Sequence, residues 1–344
     1  MELKHARILI TGANGFIGGR LAERLADEGG ARVRAMVRDA ARVGATFAVA
    51  PEGRAQGSPL QKIIADLTDA AALRDAVAGC DIVVHCAALQ SKARLADFRR
   101  VNVQGTLDLL RAARDANVKR FLHISTINVH GFPPPRDCDA DSPLVFTGDF
   151  YSISKAETER AVWEFARDFQ LPITIIRPGC TYGPRSHAWT RVPLARVQRG
   201  APVLIGNGDG ICNAVYIDNL VDLILRALQN DAAIGQAFIG TEGRGVTWRE
   251  FYGAYARIAG VARLNAMPRA LARAVANASE IFARFTGGAP FISRASVEFY
   301  SHRVVYNIEK NQRLLGYAPR VSFEEGMQKS EEWLLNSKIV IRDS

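Results

Sequence analysis

A turn punctuated by three glycines constrains the fold of this chain more than any other feature. The segment Thr11-Gly-Ala-Asn-Gly-Phe-Ile-Gly18 follows the apolar run of residues 7–10 and opens residues 16–25, whose apolar positions have helical spacing. Residues 33–37 then return to an extended pattern. Because a strand, a turn, a helix and a second strand follow one another so closely, the chain is expected to build a parallel sheet from βαβ units.

The glycines of this turn also indicate a ligand. Gly12 allows the tight turn, Gly15 lets the backbone approach a pyrophosphate, and Gly18 lets the helix pack closely on the strand. The helix N-terminus is left free to bind anionic phosphate. The spacing G-x-x-G-x-x-G departs from the G-x-G-x-x-G fingerprint in its first interval, but the strand–turn–helix context still predicts a dinucleotide site. The remaining contact residues predicted in the turn are Asn14, Phe16 and Ile17.

The end of the second predicted strand indicates which dinucleotide binds. NAD-type sites place an Asp or Glu about 20 residues after the turn, where it holds the ribose 2′-hydroxyl. Here Val37 and Arg38 stand in that region. Because an arginine can pair with a 2′-phosphate, the sequence favours NADP(H). NAD is the alternative, with Arg38 as a solvated surface residue.

Two later strand ends complete the predicted cofactor site. Asp66 and Leu67 end a third apolar run, and Ala87 and Ala88 end a fourth, where small side chains admit a flat ligand. Asp66 could accept a hydrogen bond from the adenine amino group. A helix N-cap role for Asp66 or Thr68 is the alternative.

A tyrosine and a lysine four residues apart point to proton-transfer chemistry. Tyr151 and Lys155 share one face of a predicted helix. An ammonium there can stabilise a phenolate and lower a tyrosine pKa that is ordinarily about 10, which would make Tyr151 a usable acid or base near neutral pH. Standing alone, the pair would more often be surface residues. Together with the glycine turn, it indicates hydride transfer.

Further motifs follow in an order and at spacings that are similar to those of one family. With the glycine turn they make the chain resemble the extended short-chain dehydrogenases/reductases, which include nucleotide-sugar epimerases and dehydratases, 3β-hydroxysteroid dehydrogenases and dihydroflavonol reductases. The resemblance covers nearly the whole chain. The motifs are His85-Cys-Ala-Ala88, Asn102-Val-Gln-Gly-Thr106, Ser125-Thr126 with Val129-His-Gly131, Tyr151-Ser-Ile-Ser-Lys155, Arg177-Pro-Gly179 with Tyr182-Gly-Pro184, and Val215-Tyr-Ile-Asp218.

The resemblance implies a role for each central residue. Tyr151 would exchange a proton with the substrate oxygen, and Lys155 would hold the nicotinamide ribose and lower the pKa of the tyrosine. Thr126 would hydrogen-bond the substrate oxygen, with Ser125 as the neighbour that could substitute. Two further cofactor-site residues are implied: Asn102, which would bond the backbone after the fourth strand, and Pro178, whose following backbone would lie by the nicotinamide amide.

The predicted architecture is an α/β fold with two lobes. Strand and helix patterns alternate to about residue 180, which predicts a Rossmann-type doubly wound parallel sheet. Residues 180–213, rich in Gly, Pro and Arg, break the alternation. We therefore predict a dinucleotide domain of residues 1–179 and 214–241. A smaller, discontinuous C-terminal lobe of residues 180–213 and 242–335 would bind the substrate.

Charge and cysteine content restrict the partners. The net charge of +9 is spread along the chain without basic runs, so an anionic cofactor or substrate explains it better than nucleic acid. The five cysteines are odd in number and lack C-x-x-C spacing, so neither a disulfide framework nor a metal site is expected. No signal peptide or membrane-spanning run is recognised, and a cytoplasmic location is expected.

One segment leaves a membrane contact open. Residues 268–285 place Arg269, Arg273 and Arg284 among apolar residues in a helical pattern. Such a helix could lie at a membrane interface, but a lobe helix that covers the substrate pocket is the favoured interpretation, and no membrane partner is expected. The resemblance further implies a homodimer, formed through the helices that carry Asn102 and Tyr151.

The motifs also rank the candidate reactions. Dehydratases of the family carry an acidic pair directly after the threonine of the Ser/Thr motif, whereas here Ile127 and Asn128 follow. Sugar-nucleotide enzymes typically place an arginine where Cys212 stands, although Arg185 and Arg191 could supply cations. The favoured function is an NADP(H)-dependent oxidoreductase that interconverts a secondary alcohol and a ketone on a bulky steroid-, flavonoid- or sugar-like substrate. The alternatives are a nucleotide-sugar epimerase with tightly held NAD(P) and a non-catalytic NADP-binding sensor.

Overall fold

A seven-stranded parallel sheet forms the centre of the computed structural model, which describes residues 2–27, 30–38, 60–90, 93–286 and 290–337. Along the chain the strands are β1 (Arg7–Thr11), β2 (Arg32–Val37), β3 (Leu60–Ile64), β4 (Ile82–His85), β5 (Arg120–Ile124), β6 (Ile173–Pro178), β7 (Cys180–Tyr182), β8 (Leu204–Ile205), β9 (Ile211–Cys212), β10 (Ala214–Tyr216), β11 (Ala237–Gly240), β12 (Val246–Thr247) and β13 (Ala266–Met267). The central sheet has the order β3-β2-β1-β4-β5-β6-β11. This confirms the predicted doubly wound architecture, because the strand order reverses between β1 and β4.

Helices cover the sheet and build the second lobe. They are α1 (Phe16–Asp27), α2 (Ala70–Val77), α3 (Leu95–Phe98), α4 (Gly105–Asp115), α5 (Phe150–Phe169), α6 (Val192–Gln198), α7 (Ile217–Gln229), α8 (Trp248–Ile258), α9 (Arg269–Thr286), α10 (Arg294–Ser301), α11 (Glu309–Leu315) and α12 (Phe323–Asn336). A π-helical turn joins α3 to α4. Strands β4, β5 and β6 are buried along their whole length, as expected for central strands of a parallel sheet that is covered on both faces.

The lobe residues form three two-stranded ladders away from the central sheet. These pair β7 with β10, β9 with β12, and β8 with β13. The first ladder joins the predicted lobe to the predicted dinucleotide domain, since β7 lies after residue 179 and β10 lies after residue 213. The proposed domain division, which includes residues outside the described ranges, stays a prediction.

The glycine turn has the geometry that the sequence predicts. Gly12 adopts a φ of 64°, and a Cβ at this position would lie 2.9 Å from the Ala87 backbone. A Cβ on Gly18 would lie 2.5 Å from the Gly12 carbonyl oxygen. Both glycines are therefore required for steric reasons, the first by the turn and the second by the close approach of α1.

A buried ion pair joins α5 to the end of β6. The Arg177 guanidinium bonds both carboxylate oxygens of Glu159, and both side chains are almost completely buried. Arg177 also donates to the Ala140 carbonyl at 2.6 Å and contacts His130 Nε2 at 3.2 Å. The Ser125 hydroxyl donates to Glu159 Oε2 at 2.7 Å. One carboxylate thus connects β5, β6 and α5 behind the carboxyl edge of the sheet.

Removing this carboxylate charge should destabilise the protein strongly. We expect Glu159→Gln to lower the free energy of unfolding by about 3–5 kcal/mol, because Arg177 would be left as a buried, uncompensated charge. Glu157→Gln is the matched control on the same helix, where Glu157 pairs with the exposed Arg99. Urea unfolding of both variants measures the difference, and equal losses would contradict this account of the buried pair.

Candidate active site

A cleft of about 940 Å³ runs along the carboxyl ends of the strands, across the point where the strand order reverses. In open α/β sheets this is where ligands bind, because loops from both sides diverge there. The structure brings nearly all sequence-predicted site residues to this cleft. Those that line it are Gly12, Asn14, Gly15, Phe16, Ile17, Gly18, Arg38, Asp66, Leu67, Ala87, Ala88, Ser125, Thr126, Tyr151, Lys155 and Pro178.

One end of the cleft lies over the glycine turn and the ends of β2 and β3. Arg38 is exposed there, and Asp66 accepts hydrogen bonds from the Thr68 backbone N–H at 2.8 Å and the Thr68 hydroxyl at 2.6 Å. Burial alone would raise the pKa of Asp66, but the Thr68 bonds and the nearby Arg38 and Arg100 outweigh it and hold that pKa below its usual value. Asp66 therefore presents a carboxylate.

The predicted N-cap alternative for this segment is wrong. Helix α2 begins at Ala70, and its N-cap is Asp69, whose carboxylate accepts from the N–H groups of Ala71 and Ala72. Asp66 instead closes a local turn on Thr68. Asp66, Thr68 and Asp69 all precede the helix closely, and only the backbone conformation decides which of them accepts from the free N–H groups of its first turn.

Asn102 hydrogen-bonds the loop after β4 to α5. Its carbonyl oxygen accepts from the Leu89 N–H at 2.7 Å, and its amide donates to the Leu89 carbonyl at 3.2 Å and to Ser154 Oγ at 3.0 Å. The expected bonding to the backbone after β4 is thus present. However, Asn102 is buried and is not among the residues that line the cleft, so its role is to fix the strand end against α5.

Tyr151 lies in the first turn of α5, where the helix starts because Asp149 accepts a hydrogen bond from the Ser152 N–H. Burial, together with the neighbouring Asp149 carboxylate, raises the pKa of Tyr151 to about 12. Hydrogen bonds with the side chains of Gln90 and Thr126 oppose this shift. The phenol is therefore held as a proton donor at neutral pH. Gln90 is a site residue that the sequence reasoning missed, since its role arises only where the loop after β4 meets α5.

Lys155 is buried on the same face of α5. Its Nζ donates to the Ile124 carbonyl at 2.8 Å and lies 3.2 Å from His123 Nε2. Burial lowers the pKa of Lys155 to about 8, although Glu159 and Cys86 favour its charged form. Burial raises the pKa of Tyr151, and the Lys155 ammonium donates to the end of β5. The implied role of Lys155 in stabilising a phenolate at Tyr151 stays a prediction.

Two buried histidines lie behind Lys155, and the sequence reasoning passed over both. His85 lies between the hydroxyls of Thr11 and Thr106, and its ring centroid is 5.2 Å from that of His123. Burial, together with the Lys155 charge, lowers the pKa of His85 to about 3 and that of His123 well below its usual value. Both imidazoles are neutral at physiological pH, so His123 Nε2 can accept a hydrogen bond from the ammonium.

The two hydroxyls of the Ser/Thr motif have different surroundings. Thr126 shares a hydrogen bond with Tyr151 and also accepts from the Asn128 N–H at 3.3 Å, which caps a short 3₁₀ turn. Ser125 donates to Glu159 at 2.7 Å. That bond engages the Ser125 proton in the buried ion pair and leaves its oxygen as an acceptor. The role of Ser125 as a substitute for Thr126, which the resemblance implies, stays a prediction.

The other end of the cleft is aromatic. It is lined by Trp189, from the π-helical turn His187–Arg191, and by Phe299 of α10, with ring centroids 6.0 Å apart. Neither aromatic residue was predicted, because both come from the irregular lobe. Within the described residues, Arg38, Lys155 and His187 are the basic side chains that line the cleft.

The cations expected for a diphosphate do not reach this end of the cleft. Cys212 is fully buried, and Arg185 pairs with Glu23 at 2.6 Å. Arg191 is exposed and, like Arg185, does not line the cleft. The structure also corrects the placement of α9, since none of its described residues lines the cleft and the helix does not cover the pocket.

Cys86 is a further lining residue at the end of β4. Burial raises the pKa of its thiol to about 12, although the Lys155 ammonium opposes the shift. Burial likewise raises the pKa of Cys138 to about 11. All five cysteines of the chain are free thiols.

Comparisons with known proteins agree with this geometry. A model described as the NAD dependent epimerase/dehydratase family matches residues 8–239. The chain is 30% identical over 330 residues to the 4-hydroxy-2-methyl-3-oxo-4-farnesyl-3,4-dihydroquinoline-1-oxide ketoreductase of Stigmatella aurantiaca, an alignment that covers 93% of this chain and 94% of that protein. It is 30% identical over 258 residues to the UDP-glucose 4-epimerase of Vibrio cholerae, covering 71% and 73%.

A solved structure extends the similarity to the whole chain. The dTDP-glucose 4,6-dehydratase DesIV of Streptomyces venezuelae, solved with NAD and TYD bound, has a TM-score of 0.75 and 25% identity to this chain. The superposition covers 96% of this chain and 98% of DesIV. Among the described residues, no helix has the length and apolar character needed to cross a membrane.

The buried ammonium should make stability depend on pH. Below about pH 8 Lys155 is charged in both the folded and the unfolded chain, whereas between that value and 10.5 only the unfolded chain keeps the proton. Raising the pH through this window therefore stabilises the folded state relative to Lys155→Met, by up to about 1.4 kcal/mol per pH unit. Urea unfolding of both proteins across this range tests it. A stability difference that does not change with pH would show that Lys155 has an ordinary pKa.

Proposed function

We propose that this chain, which belongs to the NAD dependent epimerase/dehydratase family, is an NADP(H)-dependent oxidoreductase acting on a secondary alcohol or ketone of a bulky substrate. The proposal starts from its being an NAD(P)-dependent enzyme of the extended short-chain dehydrogenase/reductase type. The observation that carries the proposal is the composition of the cleft beyond Tyr151. Trp189 and Phe299 line that end, and the described lining includes no arginine there. Such a surface suits a ring system or an alkyl chain better than a nucleoside diphosphate.

The glycine turn fits a dinucleotide. Gly12, Gly15 and Gly18 all line the cleft, so no Cβ at these positions keeps a ligand from the backbone, and the N-terminus of α1 opens into the cleft beside Gly15. We assign the pyrophosphate to this turn, the adenosine end to Arg38 and Asp66, and the nicotinamide end to Lys155 and the backbone after Pro178. When bound, the nicotinamide supplies or accepts the hydride.

The residues around Tyr151 supply the proton chemistry. With its pKa raised to about 12, the phenol is protonated and can give its proton to the oxygen of a ketone as that oxygen gains charge. Thr126 offers a second hydroxyl to the same oxygen. The Lys155 ammonium stabilises the phenolate that remains until solvent returns a proton. These roles favour the direction of reduction.

The relatives support both this proposal and its main alternative. The Stigmatella aurantiaca relative is named as a ketoreductase, and the alignment spans nearly all of both proteins. The Vibrio cholerae relative is named as a UDP-glucose 4-epimerase, but that alignment covers less of each chain. A nucleotide-sugar epimerase with tightly held NAD(P) is therefore the second candidate. A non-catalytic sensor is the third, and the presence of Tyr151, Lys155 and Thr126 argues against it.

We propose NADP(H) as the cofactor because Arg38 lines the adenosine end of the cleft and its guanidinium is exposed. NAD is the alternative, and DesIV holds NAD. We also propose a homodimer formed through the face of α5 and the adjoining π-helical turn, where Arg99 and Glu157 pair. A cytoplasmic location fits the free cysteines, which are typical of a reducing compartment.

The cofactor preference can be tested directly. We expect NADPH to bind more tightly than NADH, and Arg38→Ala to weaken NADPH binding by about 1.5–3 kcal/mol, or roughly one to two decades in Kd, without affecting NADH. Arg100→Ala is the matched control, because Arg100 also lies near Asp66 but does not line the cleft. Fluorescence titration gives all the constants. Equal affinities in the wild-type protein would refute the preference for NADP(H).

The reaction itself is tested by following the cofactor. With a panel of bulky ketones and nucleotide sugars, we expect one NADPH to be consumed for each ketone reduced. Tyr151→Phe should lower kcat by about 10²-fold or more while the Kd for NADPH changes little, because only the proton-transfer oxygen is lost. Absorbance of reduced nicotinamide is recorded alongside product. Product without net consumption of NADPH would favour the epimerase, and tight NADPH binding without turnover on any compound would favour the sensor.

A further inference from the structure

Helix α9 exposes a continuous apolar surface to solvent. Phe285 is 87% exposed, Phe282 69%, Ile281 55% and Leu271 51%, and Phe291, just beyond the helix, is 90% exposed. In the helix, Ile281, Phe282 and Phe285 lie ten, eleven and fourteen residues after Leu271, and these spacings place all four on one side. Solvent-facing side chains this large and this close together are uncommon unless a partner covers them. These five residues are called the apolar face below.

The opposite side of α9 is fixed to the lobe. Ala272 and Ala276 are fully buried and form a small core with Val297 of α10. Phe291 is also bonded to α9, since its backbone N–H donates to Ser279 Oγ at 2.7 Å. Arg294 donates to Glu280 from both its backbone and its side chain. These contacts fix the orientation of α9 on the lobe, so the apolar face points away from the lobe.

Positive charge borders the apolar face on one side. Arg269 and Arg273 lie on a third side of α9, between the buried side and the apolar face, and they share the single carboxylate of Glu298. Residues 244–300 contain eight arginines, three glutamates, and no lysine or aspartate. An apolar strip bordered by cations is the pattern of a helix that lies in the interface of an anionic membrane.

We propose that α9 docks this protein on anionic lipid bilayers, with the apolar face at the boundary between headgroups and acyl chains and the arginines among the lipid phosphates. A second copy of the chain is a poorer occupant. A two-fold contact between identical faces would bring the arginine borders of both copies together, and like charges across an interface oppose association.

The position of α9 also relates docking to the cleft. Helix α10, which packs on α9, carries Phe299 in the aromatic end of the cleft. A bilayer under α9 would lie one helix layer from that end, so an apolar substrate could pass between the membrane and the site. This delivery role rests on the proposed function, whereas the docking does not depend on it.

The test is flotation of the full-length protein with lipid vesicles. We expect binding to phosphatidylcholine vesicles that contain about 30% phosphatidylglycerol, and much weaker binding to phosphatidylcholine alone. The double variant Phe282→Ser/Phe285→Ser should bind the anionic vesicles roughly tenfold or more weakly, because it removes the two aromatic anchors. Leu335→Ser is the matched control, since Leu335 is a 60% exposed apolar residue on α12. It should bind like the wild-type protein.

Three outcomes would overturn the proposal. They are failure of the wild-type protein to bind anionic vesicles, equal binding by the double variant, and loss of a dimer in the double variant with vesicle binding unchanged. The last result would assign the apolar face to a protein interface. NADPH affinity and the urea midpoint are measured on the same samples to verify folding. Vesicle binding without ketone reduction would leave docking standing and reject only the proposed function.

Discussion

The Glu159 carboxylate and the Arg177 guanidinium are the constraint on which the catalytic end of the cleft depends. Two buried charges of opposite sign must stay in contact, because separating them would leave each charge uncompensated in the protein interior. Glu159 lies two helical turns after Tyr151 and one after Lys155 on α5. The same carboxylate holds Ser125 at the end of β5. The pair therefore sets the position of α5 relative to the strands from which Thr126 extends.

That rigidity permits an arrangement that is electrostatically costly. Lys155 is a buried cation whose neighbours at the end of β5 are a carbonyl and a neutral imidazole rather than a carboxylate in direct contact. The desolvation cost would move such an ammonium toward solvent if the surrounding structure could rearrange. Lys155 thus stays one helical turn from Tyr151, where the proposed reaction needs a positive charge beside a phenol that gives up its proton.

The sequence was informative where backbone sterics or local order decide the outcome. The roles of Gly12 and Gly18 follow from a turn that admits no Cβ, and the parallel sheet follows from the alternation of strands and helices. It was less informative where a side chain could choose among partners. Ser125 donates a hydrogen bond to Glu159, Asp69 caps α2, and Gln90, in the loop after β4, hydrogen-bonds Tyr151. Trp189, Phe299 and the orientation of α9 depend on how the lobe packs, which no local pattern encodes.

The Cys86 thiol gives the cleft a chemical character that its lining alone does not suggest. A thiol beside the site proposed to bind a ketone would normally add to the substrate or react with electrophiles, and both reactions proceed rapidly only through the thiolate. With a pKa of about 12, that form makes up only about one part in 10⁵ at neutral pH. Addition of Cys86 to a carbonyl group is therefore slow, and oxidants that inactivate exposed cysteines would react slowly with it.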